Sequence, residues 1–263
     1  MVKLSDLKKK PPKIILYGPA GSGKTAFVST IGKDGYLIDI DGGIETARTL
    51  KDDFFETRQG IEVFPCAETD VQRPSAYRLL KTEMLRIFNE VRKGTFEHKV
   101  LIIESLTSLS DSLVRYIMGN SNMLYKPPQM QQHLLISAEL DQFLLMVYSI
   151  KIPVVLTAHQ MVYTVDNKQK MDIAVSGQRT PSKVLGYFDE VLRAKVQNEA
   201  GGKVSFQIVA KPTASQIARS RSNIPPLVNS NVGLKDVLLT MGYDIDQHEI
   251  NKPDELKKRK EEK

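Results

Sequence analysis

The chain has 263 residues, 41% of them hydrophobic and 26% charged, with 16 Gly and 13 Pro, which excludes disorder of the whole chain and allows a substantial core. Its most apolar stretch, residues 143–158, is cut by Lys151 and Pro153, and a membrane span needs about 20 uninterrupted apolar residues. A balance of 37 basic against 31 acidic residues, a formal +6, suits a polyanionic partner without establishing one. The first twelve residues are charged, carry Lys8-Lys9-Lys10, and hold no run of signal-peptide length. The lone cysteine, Cys66, excludes an internal disulfide and a cysteine zinc cluster. A reduced, cytoplasmic setting with no membrane partner is therefore expected.

In chain order, residues 13–17 (Lys-Ile-Ile-Leu-Tyr) form a short apolar run ended by Gly18, the pattern of a buried strand. Residues 25–31 read as a helix stopped at Gly32, and residues 36–41 as a second strand closed by the Gly42-Gly43 turn. A third strand is expected at residues 61–64. Ser75 then caps a long helix with apolar residues at Tyr77, Leu80, Met84, Ile87, Phe88 and Val91, closing at Gly94. Residues 100–103 are continuously apolar, as in a strand buried on both faces. A second long helix follows over residues 134–149 and a strand over residues 153–157. Residues 190–196 and 204–209 flank Glu-Ala-Gly-Gly-Lys, a β-hairpin signal, and residues 234–241 form a short helix ended by Gly242. The alternation predicts an α/β fold, a mainly parallel sheet with helices on both sides and an antiparallel hairpin added late in the chain. The expected organisation is a basic leader at 1–12, a core at 13–228, and a short helix with a charged tail at 229–263.

Gly18-Pro19-Ala20-Gly21-Ser22-Gly23-Lys24-Thr25 fits the Walker A pattern, with a strand before it and a helix after it. Its glycines let backbone N–H groups point inward as an anion nest, and the helix N-terminus adds partial positive charge. Lys24 is the cation for the β- and γ-phosphates of ATP, and the Thr25 hydroxyl is a ligand for Mg2+. A second carboxylate is needed at the end of a neighbouring strand, and Glu104 supplies it. The base that activates water is Asp41 or, as second choice, Glu45. His159 and Gln160, just beyond the 153–157 strand, are candidate sensors of the γ-phosphate.

This order of parts resembles the RecA-like recombinase core over residues 13–222. The resemblance implies a P-loop ATPase in which Asp41 ends the strand bearing the water-activating acid, and Glu104-Ser105 stands where the family has Asp-Ser. It assigns the switch glutamine to Gln160. It implies DNA-binding loops over residues 110–132 and 161–183, the second returning to the core at Ser176-Gly177-Gln178-Arg179. Tyr125, Lys126, Tyr163, Lys168, Lys170, Arg179 and Lys183 are then the candidate DNA contacts, tyrosines for stacking and cations for phosphate. The alternative for these loops is solvated connections. Lys211 matches the basic residue that reaches a neighbouring subunit's ATP. The short form, with its Asp-Gly-Gly turn, is similar to phage-encoded ATPases that act as single-strand annealing proteins. Implied partners are single-stranded DNA, further copies of the chain in a ring or filament, and a single-strand binding protein in a bacterial cytoplasm. The other functions open to such a chain are a helicase-type motor or helicase loader, which shares the nucleotide site, and a small-molecule kinase, against which the late hairpin argues.

Overall fold

The computed structural model describes residues 10–176, 181–198, 204–222, 224–229 and 231–247. Strands β1 (Lys13–Gly18), β2 (Gly35–Asp39), β3 (Glu62–Pro65), β4 (Val100–Glu104) and β5 (Val154–Val165) run parallel. With β7 (Glu190–Asn198), β8 (Val204–Val209) and β9 (Leu227–Asn229) they form a sheet of order β3-β2-β4-β5-β1-β7-β8-β9. β7 is parallel to β1, while β8 and β9 are antiparallel additions. This is the expected α/β architecture, a mainly parallel sheet with antiparallel strands added late. The short β6 (Lys168–Ile173) pairs antiparallel with the outer half of β5.

β1, β2 and β4 are buried throughout, which is why they read as unbroken apolar runs. Their residues alternate between two cores. Ile15, Tyr17, Ile38, Leu101, Ile103 and Leu156 face one side, packed by α4 (Ala76–Lys93), α5 (Leu106–Asn120) and α6 (Met130–Ser149). Ile14, Leu16, Leu37, Ile102 and Val155 face the other, packed by Val28 and Ile31 and by α8 (Leu234–Thr240). Lys13, beside the expected basic leader, is buried instead. Its ammonium donates to the Ile150 and Ile152 carbonyls at 2.7 Å each, and burial lowers its pKa to about 7. No helix among the described residues is long and apolar enough to cross a membrane.

Three expectations need correction. The stretch 110–132 is not one loop, because α5 runs to Asn120 and α6 begins at Met130. Leu106, Leu109, Leu113 and Ile117 give α5 a buried stripe, and Ser105 caps it by accepting from Ser108 N at 3.2 Å. The intervening serines disguise the stripe, but Ser110 is accommodated by donating to the Thr107 carbonyl at 2.8 Å. The stretch 161–183 is likewise ordered at its start, since β5 continues to Val165 and turns through Asp166 and Asn167 into β6. Those two residues take the positive φ values of 51° and 59° that a tight two-residue hairpin requires. The helix after the phosphate loop is shorter than expected: α1 (Lys24–Val28) gives way to a 3-10 segment, Ser29–Asp34.

The helices α2 (Ile44–Thr49) and α3 (Phe55–Gln59) cover the outer side of α1. Arg58 of α3 is buried, donating to the Ala26 carbonyl at 3.0 Å and to both oxygens of Asp52 at 2.6 Å. Gly32, in the 3-10 segment, packs against α3 with φ at +61°, and a β-carbon there would stand 2.7 Å from the Thr57 carbonyl oxygen. Gly32→Ala should therefore cost more than the roughly 1 kcal/mol of an ordinary left-handed alanine and lower the urea midpoint. An unchanged midpoint would contradict the tight contact between the 3-10 segment and α3.

Candidate functional site

Because β1, β2, β4 and β5 are parallel, the C-terminal ends of β1, β2 and β4 bring Gly18, Asp39 and Glu104 to one edge of the sheet, where His159, midway along the longer β5, is level with Gly18. The phosphate loop leaves β1 there. Gly18 has no space for a side chain, since a β-carbon would lie 2.4 Å from the Ala194 carbonyl oxygen on β7. Gly23 ends the loop at φ +80° with the Phe206 ring against it, and its carbonyl accepts from Phe27 N at 2.9 Å to start α1. Ser22 closes the loop by donating through Oγ to the Pro19 carbonyl at 2.8 Å. With α1 only five residues long, the anion cradle rests on the loop N–H groups and Lys24 more than on a helix dipole.

The Lys24 ammonium is buried and folds back onto its own loop, donating to the Gly18 carbonyl at 3.0 Å and the Pro19 carbonyl at 2.9 Å. Burial lowers its pKa, and the carboxylates of Glu104 and Asp41 push it back up. Thr25 Oγ1 donates to Glu104 Oε1 at 2.8 Å across β5, the strand inserted between β1 and β4. The longer acid thus still reaches the loop. Glu104 is 2% exposed, and its other oxygen, Oε2, has no hydrogen-bond partner; the Thr157 hydroxyl lies near it without a well-formed bond. Burial raises the Glu104 pKa to about 7, partly offset by Thr25, Thr157 and Lys24.

An orphaned carboxylate oxygen beside a threonine hydroxyl and a lysine is a site short of a cation, so these residues fit Mg2+. Among the described residues no three His, Cys, Asp or Glu side chains converge as a metal cage. Mg2+ takes one or two protein ligands and completes its shell with water and phosphate. Beside the loop, a cavity of about 260 Å³ is lined by Ala26, Phe27, Phe54, Phe206, Asn229 and Asn231, with room for the nucleoside end of a triphosphate.

Asp41 lies two residues beyond β2, where Asp41 N donates to the Glu104 carbonyl at 3.2 Å. Its carboxylate accepts from Ser108 Oγ of α5 and stands 3.2 Å from His159 Nε2. Asp39, not singled out in the sequence, holds the Gly42-Gly43 turn by accepting from Gly42 N at 2.8 Å and Gly43 N at 3.2 Å. Glu45 turns away to an exposed pair with Arg48. Gln160 Oε1 accepts from Arg193 Nε at 2.8 Å, and Arg193 is a residue that the sequence reading missed. Lys211 is exposed, two residues beyond β8. Tyr163, Lys168 and Lys170 come together on the β5–β6 hairpin. Tyr125 and Lys126 are exposed on the α5–α6 connection, and Lys183 is exposed on the short α7 (Pro181–Leu185). Gly177, Gln178 and Arg179 lie outside the described residues.

A model of the AAA domain family matches residues 10–222, most of the chain. The chain belongs to that family. No curated protein matches it. Among solved structures, a KaiC-like protein from the hyperthermophilic archaeon Pyrococcus horikoshii OT3 is 13% identical, with a TM-score of 0.41 over 84% of this chain and 89% of that one.

For this P-loop ATPase, Lys24→Ala removes the cation facing the phosphates and should lower steady-state hydrolysis by about a hundredfold or more. Turnover retained in a clean preparation would contradict the site. Glu104 also predicts a pH effect on stability. Its folded pKa of about 7 exceeds the ordinary value of 4.5, so the nucleotide-free chain loses stability as pH rises from about 4.5 to about 7. Glu104→Gln should abolish that loss, melting higher than wild type at pH 8 but not at pH 4.5 in Mg2+-free buffer. Equal melting points at pH 8 would show that Glu104 is not desolvated.

Proposed function

We propose that this ATPase acts on single-stranded DNA in recombination, by annealing or strand exchange, with copies of the chain assembled as a ring or filament. The observation that carries this reading is one face of the β5–β6 hairpin. Tyr163 stands directly opposite Lys170, and Val165 opposite Lys168, with Met161 in line on the same face. Met161, Tyr163 and Val165 are 39%, 38% and 44% exposed, and Lys168 is exposed beside them. An aromatic and apolar column flanked by two lysines, with the buried Asp172 opposite Met161, offers stacking surface for bases and cations for phosphates of a single strand. The Lys170 ammonium donates to the Ala214 carbonyl at 2.9 Å, which holds it beside the column.

The hairpin grows from the same strand that carries His159 and Gln160 to the nucleotide site, so one β-strand serves both ends of the reaction. In hydrolysis, Lys24 exchanges its two carbonyl partners for phosphate oxygens, a stronger, charge-assisted bond. Thr25 and Glu104 would hold Mg2+, which supplies charge neutralisation at the β- and γ-phosphates. Asp41, oriented by Ser108 and His159, takes the proton of the attacking water. Lys211, exposed on its own subunit, is available to complete a neighbour's site, and such a head-to-tail contact generates rings or filaments.

Fluorescence anisotropy with a labelled oligothymidylate, across a salt series, tests the nucleic-acid half. Lys168→Ala with Lys170→Ala should weaken binding and lower the slope of log affinity against log salt by about 1.4, two phosphate contacts on a single strand. Tyr163→Ala should weaken binding without altering the slope. Binding unchanged in both variants would contradict the hairpin assignment, and directional duplex unwinding would move the protein to the motor class.

A further inference from the structure

Arg193 lies on β7 opposite Tyr17, the last residue of β1 before the phosphate loop begins. Its Nε donates to Gln160 Oε1 and its Nη1 to Gln216 Oε1, each at 2.8 Å. Both partners are neutral carboxamides, and among the described residues no carboxylate forms an ion pair with it. A guanidinium has donors only, so it can grip a carboxamide only through the oxygen. The Gln160 carboxamide is therefore fixed with its NH2 end free, and among the described residues that end has no acceptor. Gln160 follows His159, which is level with Gly18 in the sheet, so its backbone stands at the edge that carries the phosphate loop.

The second arm of Arg193 leads elsewhere. Gln216 is bridged to Met171 of β6, Met171 N donates to the Ser215 carbonyl at 2.7 Å, and Lys170 Nζ donates to the Ala214 carbonyl. Residues 213–217 thus brace the outer strand of the hairpin, and Tyr17 OH anchors the same segment at the Ile217 carbonyl. One planar cation holds the residue beside the phosphate loop and the segment beside the hairpin at once.

We propose that Arg193 is a positioning residue for nucleotide sensing: it presents the Gln160 NH2 to the terminal phosphate and, through Gln216, ties that carboxamide to the segment bracing the hairpin. This rests on the reading of the P-loop as an ATP site, and not on the identity of the polymer at the hairpin. When Gln160 shifts toward a phosphate, Arg193 moves with it and changes its hold on Gln216. Lysine cannot replace it, since a single ammonium lacks the planar fork that spans both carboxamides.

Hydrogen exchange of the full chain, with and without a non-hydrolysable ATP analogue and Mg2+, tests this directly. In wild type the analogue should slow exchange at the phosphate loop and alter it at 160–173 and 213–217. Arg193→Ala and Arg193→Lys should keep the phosphate-loop protection and lose the response at 213–217. They should also lower kcat by about ten- to a hundredfold with KM for ATP unchanged, the signature of an interaction made only in the transition state. Gln216→Ala, which leaves the Arg193–Gln160 bond intact, should lose the 213–217 response while keeping kcat. That separates a relay from a folding defect. A wild-type response at 213–217 in the Arg193 variants, or none there in wild type despite protection of the loop, overturns the proposal. No protection of the loop in wild type overturns the ATP reading itself, and the proposal with it.

Discussion

A buried ammonium bonded to two carbonyls of its own loop is the contact on which the rest of this site depends. Lys24 is kept out of water with no direct carboxylate partner among the described residues, so an arriving anion finds a desolvated cation already in place. The loop holds that geometry because β7 packs so closely on Gly18 that any side chain would displace the Ala194 carbonyl. The late strands β7 and β8 are thus part of the phosphate cradle, and Phe206 of β8 supports its end at Gly23. The inserted strand β5 sets the distance between β1 and β4, and Glu104 spans it to Thr25.

The first turn of α5 joins this cradle to the hairpin. Ser108 donates to Asp41, while Thr107 donates to the Ala174 carbonyl at 2.7 Å and accepts from His159 N at 2.9 Å. Ala174 N in turn donates to the His159 carbonyl at 2.8 Å. Further along the same helix, Ser110 Oγ accepts from Ser176 N at 2.9 Å, and Asp111 accepts from the Ser176 hydroxyl. The helix therefore holds both strands of the hairpin at their base and the carboxylate at the nucleotide site. Its serines are fixed contacts between these parts.

Much of this was legible in the sequence because it is local. The loop from Gly18 to Thr25, the apolar run ending in Glu104 and the late hairpin each announce themselves within ten residues or so. The helix α5 was not legible, since its serines match loop composition and only the Leu106, Leu109, Leu113, Ile117 spacing betrays it. The β5–β6 hairpin carries a readable signal in Asp166-Asn167, which the resemblance to a family with DNA-binding loops at that point masks. The Arg193 contacts join residues 33 and 23 positions apart, and no period or motif marks them. Such pairings are visible only once the sheet order brings β7 beside β1.

One β-strand, β5, joins the ATP site to the hairpin proposed to bind a single strand. The most direct test of that link is the steady-state release of phosphate from ATP with Mg2+, measured with and without single-stranded DNA on the same preparation. The account predicts hydrolysis that requires Mg2+ and rises when the strand is added. Hydrolysis indifferent to DNA would contradict the link while leaving the nucleotide site standing.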